Sequence, residues 1–301
     1  MSQYLTIDVG GTNIKYALMN DNADILEQGE VPTPRTCLED FEDAIAGIYD
    51  KYKKQGIAAV CMSAPGRINA ETGYFHTSGA LKYVSGICLP EHMKDRIPVP
   101  FTVENDAKAA ALAELWRGAM KGFDSGSVIT LGTGIGGSLI LGGKLVRGNT
   151  YAAGEFSGIS TRWDLQYGEG NSWASVSSTK ALTDLYASKK GVAPEEMNGR
   201  IFFKDVEDKD PVALEVLDTF CESAATGIMS LQLILDLQRY CFGGGISNQP
   251  ILLETINKKL DGIFEREVHT PASRPDVVKC AFGSDANLIG ALYHYLYELK
   301  K

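Results

Sequence analysis

The sequence predicts an α/β protein of two domains. Two patterns and the chain length carry that prediction. Strand-like and helix-like stretches alternate along the chain, the pattern that builds helix-covered sheets. A strand that ends in a Gly/Thr turn and returns as a strand, Leu5-Thr6-Ile7-Asp8-Val9-Gly10-Gly11-Thr12, recurs as Val128-Ile129-Thr130-Leu131-Gly132-Thr133-Gly134-Ile135-Gly136-Gly137. Each copy opens an α/β block. The 301 residues suit two domains at about 150 residues each. A chain this long buries roughly three quarters of its unfolded surface, so it needs no disulfide or metal to hold together. The repeat implies two related domains facing a ligand cleft. Residues 1–118 and 287–301 form the smaller N-terminal domain, and 119–286 form the larger one.

The elements follow in order. Residues 4–9, 14–19 and 25–31 read as strands separated by Gly and Asn/Asp clusters. Apolar positions at 38, 41, 45, 48 and 52 mark a helix. Residues 57–62 form a strand stopped by Ala64-Pro65-Gly66, and 99–103 form a strand that runs into a helix over 107–119. The pattern then restarts with strands at 128–131, 138–141 and 145–146. Helices are expected over 179–189, 210–236 and 249–267, short strands at 240–242 and 277–282, and a last helix over 285–299.

Composition excludes several classes of function. The chain is 44% hydrophobic and 22% charged, as an ordinary globular protein is. It carries 29 basic against 38 acidic residues, a net charge of −9, which argues against gripping a phosphodiester backbone. Lys51-Tyr52-Lys53-Lys54 and Lys300-Lys301 read as solvated helix faces. The six cysteines include no C-x-x-C pair and read as reduced, buried thiols of a cytoplasmic protein. The N-terminus has no basic region ahead of its apolar run, so no signal peptide is expected. Residues 125–143 carry no charge but hold seven glycines, which makes a turn-rich hairpin rather than a membrane span. The four histidines, His76, His92, His269 and His294, lack metal spacing and read as non-ligands.

Four motifs could carry chemistry. In Asp8-Val9-Gly10-Gly11-Thr12-Asn13 the glycines let backbone N–H groups approach an anion, and Thr12 and Asn13 add donors. Asp8 could hold a hydrated Mg²⁺, and Lys15 could point toward the same phosphates. The bland alternative is a tight hairpin that needs glycine for positive φ. Gly132-Thr133-Gly134-Ile135-Gly136-Gly137 fits G-x-G-x-x-G, but a strand follows where a dinucleotide fold needs a helix, so a phosphate-binding hairpin is the better reading. Glu104-Asn105-Asp106-Ala107 stands at a strand-to-helix junction, where Asp106 is either an N-cap or a general base. Gly243-Gly244-Gly245-Ile246-Ser247 allows a flat ring or a phosphate to come close, or is a loose connection.

These pieces in this order resemble the ROK family of sugar kinases, within the actin/Hsp70/sugar-kinase superfamily. The resemblance spans essentially the whole chain. It is carried also by Ala64-Pro65-Gly66-Arg67-Ile68-Asn69, by Ala107 to Glu114, by Gly143-Lys144-Leu145, and by Gly283-Ser284-Asp285-Ala286-Asn287-Leu288-Ile289-Gly290-Ala291. It implies a two-domain actin-like ATPase (ribonuclease H-like) fold and ATP-dependent phosphorylation of a sugar hydroxyl, usually O6, with Mg²⁺. It implies that Asp8, Gly10, Gly11, Thr12, Asn13, Lys15, Thr133 and Gly134 hold the nucleotide phosphates, and that Gly244 and Gly245 lie against the nucleoside. Gly66, Arg67, Ser78, Gly79, Asn105, Asp106 and Glu155 would contact the sugar, with Asp106 as the catalytic base. A homodimer is left open.

One segment departs from the family. Many members carry Glu-x-Gly-His and a cysteine-rich zinc segment. Here Glu155-Phe156-Ser157-Gly158 stands for the first, and 167–174, with no cysteine, stands for the second. No zinc is expected. The sugar-contacting His becomes Gly158 and the second Glu becomes Ala174, which opens space at the anomeric end. Trp163 or Trp173 could then wall an aglycone. The expected substrate is thus a C1-substituted glucoside such as cellobiose, a branch resembling beta-glucoside kinases, with glucokinase or N-acetylmannosamine kinase as the alternative. A DNA-binding regulator would need a helix-turn-helix before residue 8, where there is no room. A non-sugar actin-like ATPase is disfavoured by Asp106 and Glu155.

Overall fold

The computed structural model describes residues 2–168, 170–266 and 272–300. The chain divides into two units. The first comprises Met1–Lys121, Arg147–Ala153 and Ser284–Lys301, and the second Gly122–Val146 and Gly154–Gly283. The short return of 147–153 to the first unit has no counterpart in the sequence reading.

The first unit is built on β1 (Gln3–Val9), β2 (Asn13–Asn20), β3 (Ile25–Pro32), β4 (Ile57–Ala64) and β7 (Phe101–Asn105), ordered β3-β2-β1-β4-β7. A two-stranded β5 (Ile68–Asn69) and β6 (Tyr74–Phe75) lies outside that sheet. The second unit repeats the plan with β8 (Gly126–Leu131), β9 (Ile135–Leu141), β10 (Lys144–Val146), β11 (Arg239–Gly243) and β12 (Asp276–Lys279), ordered β10-β9-β8-β11-β12. In both sheets the first three strands are antiparallel neighbours, and the fourth and fifth run parallel to the first. The repeated hairpin in the sequence is thus the start of a repeated five-stranded sheet. The edge strand β3 exposes Glu27, Gln28 and Glu30, charge and polarity that discourage further strand pairing.

Helix α1 (Leu38–Tyr52) buries Phe41, Ile45, Ile48 and Tyr52, the stripe that its apolar spacing predicts. After the short α2 (Leu89–His92) comes α3 (Asp106–Arg117), which packs on α9 (Ala286–Tyr293). The two meet backbone to backbone, since a Cβ on Gly290 would lie 1.7 Å from the Ala109 carbonyl oxygen. The last helix widens into a π-helical turn over His294–Leu299 instead of continuing as α-helix. The second unit is closed by α4 (Trp173–Ser177), α5 (Thr179–Lys190), α6 (Gly199–Glu207), α7 (Pro211–Leu235) and α8 (Pro250–Arg266). Their apolar faces form one core with β8 and β11 that includes Trp173, Tyr186, Phe202, Phe220 and Phe242. Helices α4 and α6 were not anticipated. Asn198-Gly199 reads as a turn, but Asn198 caps α6, its Oδ1 accepting from the N–H groups of Arg200 (2.9 Å) and Ile201 (3.1 Å).

Candidate active site

In the first unit, parallel pairing brings the ends of three strands into line: Asp8 pairs with Ser63, and Ser63 with Glu104. Asp8 Oδ1 accepts from Ser63 Oγ (3.2 Å) and from Asn287 Nδ2 (2.9 Å). Burial pushes the Asp8 carboxyl above its ordinary range, while the bonds from Asn287 and Ser63 and the charge of Lys15 pull the other way. Lys15 lies directly across the ladder from Asp8, so their side chains share a face. The turn that follows is held by backbone and side-chain hydrogen bonds. Gly10 N–H donates to Asn13 O (3.0 Å), Thr33 Oγ1 to Gly10 O (2.7 Å) and Arg35 Nε to Gly11 O (3.1 Å). Gly11 and Thr12 are exposed. The side chain of Asn13 is engaged by Glu30, at 3.1 Å. The turn is a tight hairpin, with Val9 paired to Ile14, but neither Gly10 nor Gly11 has positive φ, so that conformation is not what calls for glycine there. A Cβ at Gly11 would meet nothing within 4 Å, whereas one at Gly10 would lie 2.9 Å from Asn13 O.

One strand further, β7 ends at Asn105 and α3 begins at Asp106. Asn105 is the N-cap, its Oδ1 accepting from Lys108 N–H (3.0 Å). This corrects the capping reading of Asp106. The Asp106 carboxylate is the first side chain of the helix. It accepts from Ala107 N–H (2.8 Å) and Asn105 Nδ2 (2.9 Å), and the helix N-terminus favours its charge. Asn105 Nδ2 also donates to Gly66 O (2.9 Å). Gly66, at φ 114°, lies so close to Thr77 that a Cβ would come within 2.1 Å of its carbonyl oxygen. Arg67 N–H donates to Thr77 Oγ1 (3.0 Å). So Gly66, Arg67, Asn105 and Asp106 are brought together. Ser78 is buried, with its hydroxyl spent on Leu81 O (2.6 Å) and Ser85 Oγ (2.7 Å), and Gly79, at φ 57°, shapes the same loop.

The second unit carries a cavity of about 1010 Å³, lined among others by Gly132, Thr133, Lys180, Asn198, Arg200 and Gly245. Its volume suits a cofactor-sized ligand. Thr133 and Gly245 both line this cavity. Gly134 is next to Ser157, whose Oγ accepts from Ile135 N–H (2.9 Å). Gly244 plays a packing part: at φ 92°, a Cβ there would meet Leu131 O at 2.2 Å. Lys180, Asn198 and Arg200 were missed, because the helices that present them, α5 and α6, join the cavity only through tertiary packing. Glu155 lies on the exposed surface of this unit.

The ROK family model matches residues 4–297. The chain belongs to the ROK family. It is 27% identical to a beta-glucoside kinase of Listeria innocua over 97% of this chain and 96% of that one. It is 30% identical to a glucokinase of Streptomyces coelicolor, over 97% and 96%. Among solved structures, a ROK family protein of Streptococcus pneumoniae in complex with sucrose superposes with a TM-score of 0.88 at 28% identity, covering 98% of each chain. A Streptomyces griseus ROK glucokinase with glucose and AMPPNP gives 0.80 at 26% identity, over 97% and 98%. The protein is a carbohydrate kinase of the actin-like ATPase fold, acting on a sugar and ATP.

Where this ROK kinase departs from its family, the structure changes the expectation. A Cβ on Gly158 would lie 2.9 Å from the Tyr167 hydroxyl, so the space beside Gly158 is not vacant. Trp173 is 2% exposed and packs on Phe156 and over Gly227, which removes it as an aglycone wall. Trp163 is 93% exposed. Ala174 packs against the core of the second unit. Cys37 is exposed and Cys88 half-buried, so the thiols are not all buried. His269 lies outside the described residues.

The same kinase holds a buried charge network that sequence spacing could not show. Arg147 donates to Glu104 through Nε (3.0 Å) and Nη2 (2.5 Å), and to Glu298 through Nη2 (2.5 Å) and Nη1 (3.2 Å). His294 stands between Glu298 (Nδ1, 2.7 Å) and the Ala70 carbonyl (Nε2, 3.0 Å). Glu104, His294 and Glu298 are grouped closely enough to ligate a metal, but the guanidinium supplies the cation there. Burial opposes the Arg147 charge and the two carboxylates outweigh it, so its pKa is raised. Glu104 Oε1 accepts from Asn105 N–H (2.8 Å), which ties the network to the residue beside Asp106.

Proposed function

We propose that this kinase transfers the γ-phosphoryl group of ATP to O6 of the glucose unit of a C1-substituted glucoside such as cellobiose, with Mg²⁺ and without zinc, in the cytoplasm. The observation that carries the chemistry is the Asp106 carboxylate, oriented by Asn105 and Ala107 at the start of α3. Phosphoryl transfer is mostly positioning and charge neutralisation. Asp106 accepts the proton of the attacking hydroxyl as its oxygen bonds to the γ-phosphorus and ADP leaves, a contribution of about 10²–10⁴-fold. The cradle at Gly10 to Asn13 and the Gly132–Gly137 hairpin bind phosphates, and the second unit's cavity takes the nucleoside. Asp8 fits Mg²⁺: Ser63 and Asn287 both donate to Oδ1, and among the described residues none donates to Oδ2, which would face a hydrated ion. When bound with the nucleotide, that ion neutralises phosphate charge.

The substrate class is supported by the relatives named beta-glucoside kinase and by the sucrose bound to the Streptococcus pneumoniae protein, since sucrose is a glucoside with no free 1-hydroxyl. The Tyr167 hydroxyl beside Gly158 favours a second reading, a glucokinase or N-acetylmannosamine kinase, because it could pair with a free 1-hydroxyl. The test is the product formed from cellobiose and MgATP, read by carbon and phosphorus NMR. A phosphate on C6 of the non-reducing glucose is expected. A phosphate elsewhere on cellobiose, or none, contradicts the proposal.

A further inference from the structure

Three rings of the first unit take no part in phosphoryl transfer as described. Tyr74 lies in β6 and His76 follows that strand directly, their rings edge to face at 5.0 Å and 77°. Tyr151 stacks on His76 at 5.9 Å with 25° between the planes. Tyr74 and His76 are exposed and Tyr151 is half-buried, so the stacked His76–Tyr151 pair, with Tyr74 standing edge-on to it, makes an aromatic corner open to solvent.

Tyr151 is also held at φ 61°. Tyrosine takes this left-handed conformation only with backbone strain, because its Cβ crowds the following carbonyl. Glycine would take it without strain. Strain kept for the sake of a ring beside a binding loop points to a use for that ring. The segment that carries it is pinned: Arg147 is fixed by Glu104 and Glu298, and Ala153 N–H donates to Arg147 O at 3.2 Å.

The rings are joined to the reacting carboxylate by one run of contacts. His76 N–H donates to Arg67 O (2.9 Å), while Asn105 Nδ2 donates to both Gly66 O and Asp106 Oδ1 (2.9 Å each). Beside His76, Arg67 Nε is buried and has no hydrogen-bond partner among the described residues, a donor aimed at nothing the protein itself supplies.

We propose that Tyr74, His76 and Tyr151 form a subsite for a ring carried on C1 of the phosphorylated glucose, a second pyranose, with Arg67 Nε donating to one of its hydroxyls. A pyranose presents a face of C–H groups that packs on aromatic faces, and its rim needs donors and acceptors. The subsite rests on the glucoside reading given above and replaces Trp163 and Trp173 as the aglycone wall.

The experiment compares kcat/KM for cellobiose, phenyl β-glucoside, methyl β-glucoside and glucose in the wild type, Tyr151→Gly and His76→Ala, with thermal unfolding measured alongside. Tyr151→Gly relieves the backbone, so its Tm should equal or exceed that of the wild type, which separates the loss of the ring from loss of the fold. The ratio of kcat/KM for cellobiose to that for methyl β-glucoside should fall tenfold or more in both variants. A ratio that stays within twofold in both overturns the subsite, and so does a fall for phenyl β-glucoside alone. If the wild type phosphorylates glucose but neither glucoside, the substrate reading fails and takes the subsite with it. If methyl β-glucoside is a substrate and only the ratio is insensitive, the subsite fails alone.

Discussion

Asp106 gains its meaning from its neighbours. Its carboxylate is one position past the cap, held by the Asn105 amide and the Ala107 N–H. Asp106→Asn keeps the size and the helix start, so the fold should survive with its Tm little changed, while kcat falls by about 10²–10⁴. Steady-state turnover that keeps more than a tenth of kcat would remove Asp106 from the role of base. The sequence made this residue legible as a candidate but left cap and base equally open, because Asn and Asp cap helices about equally well and the two stand side by side. Ser63 and Asn287, which orient Asp8, were not legible. They reach it from distant strand and helix positions, and no local spacing encodes such a partner. The glycines at 10 and 11 were legible as the turn between β1 and β2, but not through their dihedral angles.

At the scale of elements, the periodic segments were the readable ones. β1, α1, α3 and α7 fall close to where apolar spacing places them. Helix α4 is too short to show a period, and α6 begins at an Asn-Gly pair that looks like a turn. The widened last turn at 294–299 was also hidden, since it follows from His294 and Glu298 turning inward to Ala70 and Arg147. The contact of α3 with α9 gives a sharp expectation. Adding a methyl group at Gly290 would force the helices apart at Ala109, so Gly290→Ala should destabilise the first unit by about 1–3 kcal/mol. Chemical denaturation would show this as a lower midpoint, and an unchanged midpoint would mean that the two helices separate freely.

Across the whole molecule, the repeat of one five-stranded plan was legible from two hairpins. The charge network that joins Arg147 to Glu104, Glu298 and His294 was not, because its members are scattered from 104 to 298. That network makes stability depend on pH. Burial pushes Glu298 up, but the bonds from His294 and Arg147 win, so its folded pKa lies below the ordinary value. Unfolding frees the carboxyl to bind a proton more readily, so Glu298 contributes stability above the ordinary glutamate range and loses it as pH falls toward its folded pKa. Denaturation followed from about pH 5.5 down through and below the ordinary glutamate value of about 4.3 should show a steeper decline for the wild type than for Glu298→Gln, and parallel curves there would exclude this source. Whether this ATP-dependent kinase takes a glucoside as its acceptor is decided by ADP release. The measurement uses Mg²⁺ as the only added metal, a zinc-selective chelator, and cellobiose, methyl β-glucoside, glucose and N-acetylmannosamine in turn. A glucoside kinase should release negligible ADP without sugar and show a higher kcat/KM for the two glucosides than for the free hexoses. ADP release that ignores the sugar, or free hexoses favoured by tenfold or more, would contradict the glucoside reading.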